Sequence, residues 1–137
     1  MSPVLDRLAE LRLHLEHLHA IRPRVKDPQT LRNDLSLRND VLHSLQTVCQ
    51  VVIDVASELS ARYRLRSQDY TEAVRNLSSI SGFPPAMVQT LEKLPGFRNV
   101  LIHEYVTLDY RRVLEALDRL GVVEEFAEAV RGLESAS

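Results

Sequence analysis

The stretch LQTVCQVVIDVA, residues 45–56, contains neither Gly nor Pro, and its apolar period continues well beyond it in both directions. From Leu31 onward, Leu35, Leu42, Leu45, Cys49, Val52, Ala56, Leu59 and Tyr63 recur at helical spacing, for about nine turns at 3.6 residues per turn. Val41, Val48 and Val55 add a second apolar flank, so this helix needs neighbours on two sides. Thirty-odd residues at ~1.5 Å each span roughly 50 Å, more than the width of a domain of this size, which raises the expectation that a second copy of the chain covers part of it.

Working outward, Ser2 and Pro3 form a helix start, and Val4, Leu8, Leu11, Leu15 and Leu18 lay a narrow apolar seam behind them. Pro23 and Pro28 bracket PRVKDP and end that helix. After the long helix, Tyr70, Val74, Leu77 and Ile80 predict a short helix stopped by Gly82, and Pro85 opens another carrying Met87, Leu91 and Leu94. Pro95-Gly96 predicts a kink or break. Asp109 is the expected N-cap of a segment carrying Val113, Leu117 and Leu120, which Gly121 divides from a last piece carrying Val122, Phe126 and Val130. The reading is an all-α, up-and-down bundle of five to six helices, one of them long, in a single domain spanning residues 1–137.

Composition narrows function mainly by exclusion. The chain has 137 residues and a formal charge of −2, so charge alone predicts no general coating of nucleic acid or membrane, and a polyanion would need a local site. Cys49 is the only cysteine and reads as a reduced, buried small hydrophobe. No apolar run approaches the ~20 residues of a membrane span, and no leader is evident, so a cytoplasmic protein without a membrane partner is expected.

The densest chemistry lies in GFRNVLIHEY, residues 96–105. At ~100° per residue, Arg98 and His103 point about 140° apart, whereas Asn99 and His103 share a face, so the amide could orient the imidazole. Other polar groups carry less. His14, His17 and His19 lack a third ligand at a recognised metal spacing and read as a wet helix face, leaving no metal site expected. Arg38 and His43 repeat the arginine–histidine spacing by accident, without a flanking Gly-Phe or a tyrosine. Arg62, Arg64 and Arg66 form a basic run that could hold an RNA backbone or could be ordinary surface charge. Residues 118–137 carry five acidic and two basic side chains, a poor RNA contact.

Gly96-Phe97-Arg98-Asn99, followed by His103 and Tyr105, resembles the HEPN-domain motif of the HepT family of toxins: arginine, four residues, histidine, one residue, tyrosine. Residues 45–56, with Asp54, are similar to that family's long-helix signature, although Gln50 stands where many relatives have Glu, and Pro95 precedes the glycine. The resemblance covers most of the chain. It implies a HEPN-type, dimeric helical bundle acting as a metal-independent ribonuclease toxin, with no cofactor, held in check by an MntA-type nucleotidyltransferase antitoxin. By the same resemblance the Arg and His of two chains meet at a two-fold cleft. Catalysis would fall to Arg98 as phosphate clamp and His103 as general acid or base, with Asn99 in support. Tyr105 would receive AMP units from the antitoxin, whose phosphates would block RNA. The alternative is a catalytically silent HEPN dimer that serves as an adaptor or binding module for a nucleotidyltransferase.

Overall fold

The computed structural model describes residues 3–136, the side chain of Tyr105 excepted. Its α-helices are α1 (Pro3–Ile21), α2 (Pro28–Asn33), α3 (Leu35–Arg62), α4 (Tyr70–Arg75), α5 (Pro85–Leu91), α6 (Leu94–His103), α7 (Tyr110–Asp118) and α8 (Leu120–Ala136). Short 3-10 turns follow α1, α4 and α6, and no strand occurs among the described residues. The all-α expectation holds.

The expected five to six helices become eight segments because local capping divides what periodicity joins. Asp34 leaves helical geometry, at φ −116° and ψ 96°, and its carboxylate accepts the amide of Leu37, so the long helix begins at Leu35 and Leu31 belongs to α2. Asp27, Asp69 and Asp109 cap α2, α4 and α7 in the same way. Pro85 opens α5 and Pro95 lies in the first turn of α6, where a missing amide hydrogen costs nothing. Gly82, at φ +105°, takes the left-handed geometry expected of it, but the helix does not reach it: α4 ends at Arg75 and the 3-10 turn that follows ends at Ser79. The expected break at Gly121 falls two residues earlier: Arg119 ends α7, and Gly121 sits inside α8. Ser2 lies outside the described residues.

α3 is the centre of the molecule. α1 and α6 pack along it, α4 covers its C-terminal end, and α8 closes the bundle against α1 and α5. Both apolar flanks read from the sequence are buried along the middle of α3, at Leu45, Val48, Cys49, Val52, Val55 and Leu59, whereas Leu35 and Tyr63 at its two ends are exposed. Val4, Leu8, Leu11, Leu15 and Leu18 of α1 meet them as one seam. Phe126 of α8 is fully buried against Phe83, with ring centroids 6.0 Å apart. None of the described helices is long and apolar enough to cross a membrane.

Polar stitches fix the register of α1. Arg7 Nη1 donates to Asp54 Oδ2 at 2.7 Å, while Gln50 Nε2 holds the other carboxylate oxygen at 2.8 Å. Of the three α1 histidines, His17 and His19 are exposed, as a wet face requires, and His14 is partly buried, but each has a partner on another helix. His14 meets the buried Ser44, His17 meets Asp40, and His19 meets Glu124 of α8, because α1 lies between α3 and α8. No metal-binding group of three exists among the described residues.

Removing the Phe126 ring leaves a cavity at a point no side chain can easily refill. Phe126→Ala is expected to lower unfolding free energy by about 3–5 kcal/mol, and Leu13→Ala, at a position 67 % exposed, to change it by no more than about 0.5 kcal/mol, both read from urea denaturation midpoints.

Candidate active site

α6 is set by two apolar anchors four residues apart. Phe97 and Leu101 are buried toward α3, which fixes the rotation of the helix and hence where its polar residues point. Arg98, one position beyond Phe97, is half-buried. Its Nε is buried without a hydrogen-bond partner, and no carboxylate pairs with its guanidinium among the described residues. Its hydrogen bond to Asn99 is weak: Nη1 lies 3.4 Å from Asn99 Oδ1. A cation held by packing, with a donor left over, is primed for an external acceptor, since a buried unpaired donor carries a penalty of about 1–3 kcal/mol.

His103 is the last residue of α6 and is exposed, at the helix end where the backbone dipole favours positive charge. Five residues separate it from Arg98, a rise of ~7.5 Å along the axis, and no hydrogen bond joins the two. The divergence expected from helix geometry is therefore present. Asn99 is exposed, and its amide oxygen faces Arg98, not the imidazole it was expected to orient. Tyr105 begins the 3-10 turn Tyr105–Thr107 immediately after the helix; its side chain lies outside the described residues.

Beneath α6, Cys49 of α3 is 2 % exposed. Burial pushes its thiol pKa up to about 12, and the nearby charge of Arg98 opposes that rise only in part. Arg98 thus lies close enough to Cys49 of the core helix for its charge to be felt there.

The remaining basic candidates have structural employment. Arg62, the last residue of α3, is paired with Glu134, so the run Arg62, Arg64 and Arg66 loses its first member as an RNA contact. Arg38 donates to the Arg32 carbonyl, and the His43 ring stands edge-on to His14, which explains that accidental pair without chemistry. Sequence reading missed a second basic group. Lys93, Arg112 and Arg119 come from three different parts of the chain and meet around one cavity between α3, α6, α7 and α8. No local spacing pattern links them, so only the fold could bring them together.

A HEPN-type helical bundle with an Arg–His helix braced on a long central one is the class these features define. The family model described as Ribonuclease HepT-like matches residues 11–130, and the chain belongs to that family. A similar protein is the mRNA nuclease HepT of Shewanella oneidensis, 20 % identical over 130 residues that cover 93 % of this chain and 96 % of that one. The fold is that of the tri-AMPylated Shewanella oneidensis HEPN toxin in complex with MNT antitoxin, at a TM-score of 0.84 and 19 % identity, over 96 % of this chain and 99 % of that one. A toxin–antitoxin structure with AMP-PNP is similar too, at a TM-score of 0.82 and 19 % identity, over 94 % and 97 % of the two chains.

If the packing around Cys49 is as described, iodoacetamide at pH 8 should leave the native chain unlabelled and add one adduct in urea, by intact mass. Labelling of the native chain at the rate of a free thiol would mean that the packing around Cys49 opens.

Proposed function

We propose that this chain is the toxin of a toxin–antitoxin pair, an endoribonuclease that cuts RNA without a metal through Arg98 and His103, and is neutralised by a nucleotidyltransferase antitoxin. The observation that carries the reading is Arg98: half-buried, unpaired by any carboxylate among the described residues, and on the same helix as the exposed His103 in a HepT-like ribonuclease chain. Support for the partner comes from the solved relatives, which include a HEPN toxin in complex with an MNT antitoxin.

The chemistry follows from the residue types. The 2′-oxygen of the ribose attacks the adjacent phosphorus, and the bond from phosphorus to the 5′-oxygen breaks. One histidine takes the proton from the 2′-hydroxyl, and another returns a proton to the departing 5′-oxygen, leaving a 2′,3′-cyclic phosphate. Arginine stays charged throughout and places a planar fork on the phosphorane oxygens. Asn99, in contact with Arg98, supports that fork. One chain supplies one His103, so both proton transfers are met when two chains face each other across a two-fold axis. The groove beside the end of α6 suits that arrangement, since Leu35 and Val106 on it are 59 % and 82 % exposed.

With the unmodified chain, total cellular RNA and excess chelator, His103→Ala and Arg98→Ala should each reduce cleavage by about 10²–10⁴-fold, with circular dichroism unchanged. Equal inactivity of all three proteins on a broad RNA panel would favour the silent adaptor instead.

Inactivation would act at Tyr105, two residues past His103. Incubation with ATP and the cognate antitoxin should add one or more AMP units by intact mass and suppress cleavage, and Tyr105→Phe should take up none. AMP addition elsewhere, or none at all, would remove Tyr105 from the mechanism.

A further inference from the structure

We propose that the cavity between α3, α6, α7 and α8 is a subsite for one nucleotide, and that it favours a base carrying an exocyclic amino group. The cavity holds about 290 Å³, near the lower end of the range for small-ligand sites, which suits one nucleotide and not a longer segment. Its floor is apolar, built from Leu45 and Val48 of α3 with Leu94 and Phe97 of α6. Around that floor stand three cations, Lys93, Arg112 and Arg119.

Seven other arginines, Arg7, Arg12, Arg22, Arg62, Arg75, Arg111 and Arg131, are each paired with a carboxylate. Lys93, Arg112 and Arg119 are exposed and have no ion pair among the described residues. Arg112 is nonetheless held in place, its guanidinium 5.6 Å from the centre of the Phe97 ring. A planar fork fixed over an aromatic face is a phosphate receptor with little rotamer entropy left to lose.

One residue narrows the ligand. Glu115 is the single acidic residue lining the cavity, where it would repel a simple anion but would accept a hydrogen bond from a base N–H. Carboxylates pair with the cytosine amino group for this reason, and uracil, with a carbonyl at that position, has no donor to offer there. Phosphate on the cations, base plane on the apolar floor and amino group on Glu115 together use each kind of group the cavity presents. The site also adjoins the catalytic helix: Phe97 precedes Arg98, and Cys49 in the cavity wall lies in the field of the Arg98 charge.

The test is direct binding of CMP, UMP, cytidine and inorganic phosphate to the full chain by calorimetry at fixed low salt. CMP should bind at least about tenfold more tightly than UMP, since a hydrogen bond to a charged group is worth roughly that factor. Glu115→Gln should erase the difference, and Ala116→Phe, with its fold checked by circular dichroism, should fill the cavity and abolish binding. No binding of either nucleotide, or equal binding of CMP and UMP to the wild type, overturns the proposal. The source of the nucleotide is read from RNA cleavage, and that arm alone rests on the ribonuclease reading above. Arg119→Glu should weaken CMP binding; if it also raises KM for RNA severalfold without changing kcat, the occupant is a nucleotide of the substrate, whereas weakened CMP binding with unchanged cleavage identifies a free nucleotide, and CMP binding unaffected by the substitution overturns the proposal. A chain that binds CMP selectively but cuts no RNA would leave the subsite standing and remove the ribonuclease.

Discussion

The burial of α3 on two flanks is the constraint on which the rest of the molecule depends. A helix with Val48 and Val55 on one side and Cys49, Val52 and Ala56 on another cannot be satisfied by one neighbour, and α1 and α6 are the two that it takes. Burial supplies the driving force, at roughly 25 cal/mol per Å² of apolar surface, but it is indifferent to register. Register comes from polar pairs at the edges. Asp54 receives Arg7 from across the interface and Gln50 from its own helix, which ties α1 at one level, and His14 and His17 tie it at others. Asp54, part of the long-helix signature, therefore acts as a structural clamp some distance from the Arg–His helix.

On the other flank the same constraint produces the site. Phe97 and Leu101 lock the rotation of α6 on α3, and Arg98 is carried into a half-buried position as their neighbour. The cost of leaving its Nε without an acceptor is spread over a well-packed helix pair. His103 experiences the opposite environment at the exposed helix end. One helix thus presents a guanidinium with restricted freedom and an exposed imidazole, the two environments that the proposed charge stabiliser and proton-transfer group would respectively require.

Much of the fold was legible because helical periodicity records burial directly. The α1 seam, the middle of both α3 flanks, the Pro85 start and the Asp109 cap all follow from local residue chemistry. What periodicity could not record was competition between capping and continuation. Leu31 is in phase with α3, yet Asp34 gains more by capping Leu37 than by continuing a helix. Gly121 looked like a breaker, but a helix tolerates glycine at modest cost, and a Cβ there would meet nothing within 4 Å. The candidate site divides along the same line. Arg98, Asn99, His103 and Tyr105 are contiguous and could be found as a motif. Lys93, Arg112 and Arg119 converge from separate segments, and the partners of the three α1 histidines lie on other helices, so neither could be found without the fold.

Helix geometry finally limits what a single chain can do. Arg98 and His103 point apart on a straight α6, and bending the helix to bring them onto one phosphate would unseat Phe97 or Leu101 from α3. Two proton transfers per cleavage also call for two titrating groups, and the motif helix carries a single histidine. Under the proposed function an antiparallel second copy would remove both deficits together, bringing a His103 to the side of each Arg98 without disturbing either core. The exposed Leu35 and Val106 beside that helix end are the apolar surface such a pairing would bury. On the proposed reading, catalysis and dimerisation have one physical origin: a helix too firmly seated on α3 to assemble its own active site.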